Sequence, residues 1–63
     1  MRERAERSID EVLSISFNYL MEHGLENTSI RDLAKETGMS LGSLYYWFAD
    51  KDDLVLHAVK FFS

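Results

Sequence analysis

Sixty-three residues with a formal net charge of −4 make one small domain, which buries only about 60% of its unfolded surface and depends on close packing. With no cysteine, a disulfide framework and a thiolate zinc site are both excluded, and without proline, repeat or low-complexity run nothing marks a linker or a second domain. The charged opening Met1-Arg-Glu-Arg-Ala-Glu-Arg7 leads into an amphipathic run, which argues against a signal peptide, and no stretch approaches the length of a membrane span, so the expected setting is the cytoplasm.

The pattern along the chain is helical throughout. Ile9, Val12, Leu13, Ser16, Phe17, Leu20 and Met21 recur at i, i+3, i+4 and i+7, which predicts a first helix from about Glu3 to about His23 with that stripe inward. Gly24 stands where a helix end favours positive φ. Thr28 or Ser29 would cap a second helix that turns Ile30, Leu33 and Ala34 inward and ends before Gly38. Ser40 caps a third, with Leu41, Leu44, Tyr45 and Phe48 on its inner face and Tyr46 and Trp47 directed elsewhere. Asp50 and Asp53 resemble a capping box for a fourth helix, whose inner stripe is Leu54, Val55, Ala58 and either Phe62 or Val59, with Lys51 and Asp52 in its exposed first turn.

Two short helices around a tight turn at Gly38, the second carrying Tyr45-Tyr46-Trp47, form the sequence signature of a helix-turn-helix that docks on DNA. Thr28-Ser29-Ile30, Leu33-Ala34, Gly38, Ser40, Leu44-Tyr45-Tyr46, Phe48 and Lys51 together resemble the N-terminal DNA-binding domain of the tetracycline-repressor (TetR) family. The likeness extends back through Val12-Leu13 and Gly24 and forward to Leu54. It implies an all-α, homeodomain-like bundle with a three-helix core and the start of a fourth helix, spanning residues 1–63. It also implies a larger C-terminal domain, absent from this sequence, that binds a small effector and makes the protein a homodimer on a palindromic operator.

Eleven positions are candidate DNA contacts: Thr28, Ser29, Arg31, Ser40, Leu41, Gly42, Ser43, Tyr45, Tyr46, Trp47 and Lys51. Helix N-termini at Thr28 and Ser40 carry free N–H groups and a positive dipole end suited to phosphate, and ordinary capping accounts for the same residues. Tyr45 and Tyr46 offer a phenol O–H to phosphate and a ring to a thymine methyl, whereas a purely structural role would leave Tyr45 half in the core and Tyr46 simply exposed. Trp47 stands where many members of the resembled family carry a phosphate-binding histidine; an indole N–H replaces that one bond but not a charge. Leu41, Gly42 and Ser43 lie in the first turn of the third helix, and Gly42, costing up to about 1 kcal/mol against alanine, fits a backbone that must approach DNA closely. Arg31 suits guanine O6 and N7, or else pairs with a carboxylate on a solvated face. By resemblance Lys51 is a phosphate contact. Arg2, Arg4 and Arg7 form either an arm that reaches the duplex or, with Glu3 and Glu6, a solvated charge lattice.

The acidic balance argues against strong non-specific DNA affinity, which rests on Lys and Arg. Its distribution matters more: residues 1–27 hold three basic and six acidic groups, 28–51 three of each, and 52–63 one basic and two acidic. The expected DNA face is therefore neutral. His23 and His57 are single and far apart, at no metal-ligand spacing, and the serines lack a partnered base, so neither a cofactor nor an enzyme is expected. The resemblance thus implies a ligand-responsive transcriptional repressor; the alternative is a helical module that keeps the fold but binds protein, in keeping with the acidic balance and Phe61-Phe62.

Overall fold

A computed structural model describes residues 8–63 as four helices in the order α1 (Ile9–His23), α2 (Ile30–Thr37), α3 (Leu41–Trp47) and α4 (Lys51–Phe61). The start of α1 lies six residues later than the expected Glu3. Ser8 fixes it through a reciprocal capping box: its hydroxyl accepts the Glu11 N–H at 3.2 Å while its own N–H donates to Glu11 Oε1 at 3.0 Å. The arm expected from Arg2, Arg4 and Arg7 lies outside the described residues.

α1 packs on α4 and α2, and α2 packs on α3. Between them Val12, Leu13, Leu33, Ala34, Met39, Leu44, Phe48, Leu54 and Ala58 make one apolar core, with Ile9, Phe17, Tyr19, Ile30 and Leu41 against its edge. Most of the expected inner positions are there. Met21, counted in the inner stripe, is instead 71% exposed, because the heptad stripe drifts around the helix and Leu20 alone closes the last turn. On α4, Leu54 and Ala58 are fully buried, Val55 is half-buried, and both Val59 and Phe62 remain exposed; Phe62 instead stacks on Phe17 at 4.4 Å.

Ser16 joins the buried stripe with its hydroxyl unpartnered. A buried hydroxyl without a hydrogen bond costs on the order of 1–3 kcal/mol. Ser16→Ala keeps the volume nearly unchanged and is expected to stabilise the domain by about 1 kcal/mol, read from a urea titration; a destabilised variant would show that the hydroxyl has a partner.

The α2–α3 turn is a Schellman motif. Gly38 adopts φ +74°, its N–H bonds the Lys35 carbonyl, and the Met39 N–H reaches back to the Ala34 carbonyl at 3.1 Å. Thr37, fully buried, gives its hydroxyl to the Leu33 carbonyl at 2.8 Å and braces the turn from inside. At the other loop Gly24 takes φ +88°, and its carbonyl accepts the Thr28 hydroxyl at 2.8 Å.

Candidate nucleic-acid interface

Ser29, not Thr28, caps α2. Its hydroxyl accepts the Asp32 N–H at 3.1 Å, and its N–H donates to Asp32 Oδ2 at 2.9 Å. Thr28 is buried and turned into the α1–α2 loop, so its hydroxyl serves the loop and not the helix end. The competition was settled by the box: only position 29 has a carboxylate three residues on that can reciprocate.

The Ser29 backbone N–H, and then the Ser29 hydroxyl, hold the Asp32 carboxyl below the ordinary aspartate range, helped by Lys35 and His23. A carboxyl whose pKa is lowered on folding stabilises the fold above its unfolded pKa and loses that contribution as pH falls through the lower folded value. Asp32→Asn is therefore expected to flatten the loss of stability below about pH 4, and Ser29→Ala to cost about 1 kcal/mol at neutral pH. Thermal melts across pH 2.5–7 check both, and an unchanged acid limb in Asp32→Asn would remove Asp32 from the cap.

α3 is held by its inner residues. Leu44 is fully buried, and Phe48, in extended conformation just past the helix end, returns to the core. Ser40 caps the helix through the Ser43 N–H at 3.0 Å, and its own hydroxyl donates to Ser43 Oγ at 2.9 Å. Tyr45, expected on the inner face, is half exposed, since a helix of seven residues covers only one turn of core between Leu41 and Leu44. Tyr46 is 81% exposed and meets Trp47 edge to face at 5.2 Å. A Cβ built on Gly42 meets no heavy atom within 4 Å. The fold's own packing therefore does not require glycine there.

Lys51 was expected in an exposed first turn, yet it is half-buried, and its ammonium donates to the Leu25 carbonyl at 2.8 Å and the Thr28 carbonyl at 2.7 Å. It ties the start of α4 to the loop that precedes α2. Asp50 accepts the Asp53 N–H as expected, but Asp53 reaches the Ala49 N–H at 2.9 Å, so the box is displaced by one residue. Arg31 is exposed in the first turn of α2 and has no ion-pair partner among the described residues. Its nearest carboxylate in sequence, Asp32, is committed to Ser29.

α3 thus leaves its three consecutive aromatic residues exposed, while Arg31 and Lys35 sit on α2 and Lys51 at the start of α4. Residues 12–58 match the family described as bacterial regulatory proteins of the tetR family. The chain belongs to the tetR family. Its helix-turn-helix is the family's DNA-binding domain, and the chain is no enzyme. Among curated relatives, the HTH-type transcriptional regulator PksA of Bacillus subtilis (strain 168) is 34% identical over 55 residues, covering 87% of this chain and 27% of that protein. An HTH-type transcriptional regulator of Staphylococcus aureus (strain USA300) is 35% identical over 60 residues, covering 95% of this chain and 32% of that protein. The chain therefore spans about a third or less of the length of these relatives. No solved structure matches it. No helix among the described residues is long and apolar enough to cross a membrane.

Proposed function

We propose that α3 lies in the major groove of double-stranded DNA, and that the domain belongs to a dimeric, effector-responsive repressor on a palindromic operator in the cytoplasm. The carrying observation is the exposure of Tyr45, Tyr46 and Trp47 together on one short helix whose other side is anchored by Leu44 and Phe48. Exposed aromatics grouped in this way cost solvation unless a partner covers them, and a groove of bases and phosphates matches both their rings and their polar tips. Ser29 and Ser40 bring two helix N-termini to phosphates, with Leu41, Gly42 and Ser43 against base edges and Arg31 on a guanine. Thr28 acts through the loop it braces. A dimer holds two such helices about 34–36 Å apart, as a palindrome requires.

Lys51 donates its remaining N–H to a phosphate. Lys51→Ala is then expected to weaken binding equally on all sequences, to lower the slope of log K against log salt by about 1, and to lower the melting temperature because two loop carbonyls lose their donor. Tyr46→Phe should weaken binding equally across sequences without any change in melting. Salt series with the whole protein test both, and an unchanged slope for Lys51→Ala would reject its phosphate role.

A second reading is favoured by the exposed apolar residues of α4, Leu56, Val59, Phe61 and Phe62. They support a surface covered by protein, either the rest of the chain or a second copy. A module that only bound protein would show DNA binding with weak salt dependence.

A further inference from the structure

We infer that α3 reads its half-site through thymine methyl groups, so that the bound sequence carries T·A pairs opposite Leu41, Gly42 and Tyr45. The inference rests on the docking of α3 proposed above. From Thr37 to Ala49 the chain has no charged and no amide side chain. In the major groove guanine presents two acceptors that arginine or lysine meets, adenine an acceptor and donor that asparagine or glutamine meets, and cytosine an amine that a carboxylate meets. None of these groups stands on α3 or on either flank. Ser43, whose oxygen already accepts from Ser40 at 2.9 Å, bonds any base and discriminates none.

What α3 offers instead is carbon. Leu41 is half-buried with one side toward solvent, and Tyr45, one turn on, is half exposed. Thymine alone among the four bases carries a carbon group, its 5-methyl, on the major-groove edge. Gly42 lies one turn before Tyr45 and Tyr46 on the same face, and the space its side chain would fill is open. With that side of the helix open, a base edge and its methyl can come closer to the backbone at Gly42 than any side chain there would allow. Arg31 and Lys51, lying outside the uncharged stretch, leave guanine and phosphate recognition to the margins.

The test uses the whole protein and a randomised DNA duplex pool. Selection is expected to enrich a sequence with a short thymine run in each half-site. Remaking that sequence with deoxyuridine at one thymine at a time removes only the methyl, keeping pairing and charge. Each contacted methyl should cost about fourfold in affinity, the worth of burying one carbon group. Gly42→Ala, which meets nothing in the fold, sets a methyl where the thymine methyl would approach the backbone, so its preference for thymine over uracil should fall from about fourfold toward one. An enriched sequence bound equally with uracil throughout, or one with guanine in place of the thymines, overturns the inference and leaves the docking of α3 intact. A pool that shows no enrichment overturns the docking as well.

Discussion

Leu44→Ala is expected to destabilise the domain by about 2–5 kcal/mol. Leu44 is fully buried, and with Val12, Leu33, Leu54 and Ala58 it forms the part of the apolar core from which water is wholly excluded. A chain of this length has a total stability of only about 3–9 kcal/mol, so the loss is comparable with the whole. The effect is also local. α3 has seven residues, too short to persist alone in water, and its attachment rests on Leu44 together with Phe48 and the edge contact of Leu41. Without the leucine, the aromatic face loses its platform before the rest of the bundle melts. Leu44→Met, nearly equal in volume, should cost less than about 1.5 kcal/mol. Urea titrations of the two variants separate cavity from chemistry, and a loss well under 1 kcal/mol in Leu44→Ala would refute its place in the core.

Where apolar periodicity was strong, the sequence was readable. The stripe of α1, the inward Leu33 and Ala34, the positive φ at Gly38 and the burial of Leu54 and Ala58 all follow from spacing and from glycine's lack of a Cβ. Several features depended on choices between neighbours that periodicity does not resolve. Thr28 and Ser29 are both competent caps, and the reciprocal carboxylate at Asp32 decided between them. Ser8 could have been found as a cap by the same rule, from Glu11 three residues on. Met39 entered the core without belonging to any stripe, because a Schellman turn folds the residue after its glycine back onto the preceding helix, whereas Thr37 continues the stripe of Ile30, Leu33 and Ala34 at i+7 but is polar.

Lys51 was the least readable of the site residues. Its resemblance pointed to phosphate, and nothing in the local pattern indicates that two carbonyls, 26 and 23 residues earlier, lie beside its ammonium. Such pairings arise from tertiary geometry and leave no periodic trace. They also change how a mutation there reads, since stability and binding move together. Glu11, Asp32, Asp50 and Asp53 each accept a backbone N–H at a helix start, so four of the domain's acidic groups are spent on capping rather than facing solvent unengaged.

That capping bears directly on Arg31, for which the second large effect is expected: Arg31→Ala should cost about 1–3 kcal/mol of binding and relax preference at one base position. An exposed arginine usually belongs to a surface ion pair. Here Asp32 is held by Ser29, and Lys35, one turn on, carries the same charge as Arg31. Folding therefore gains little from the guanidinium, and Arg31→Ala should shift stability by less than about 0.5 kcal/mol. Arg31→Lys separates charge from shape, because a lysine keeps the charge but not the planar fork that meets guanine O6 and N7 together. It should retain the salt slope and lose base preference. Binding of the whole protein to matched and singly mismatched duplexes, each across a salt series, decides the matter. Equal losses on both duplexes would make Arg31 a phosphate contact, and no loss on either would leave it a solvated side chain.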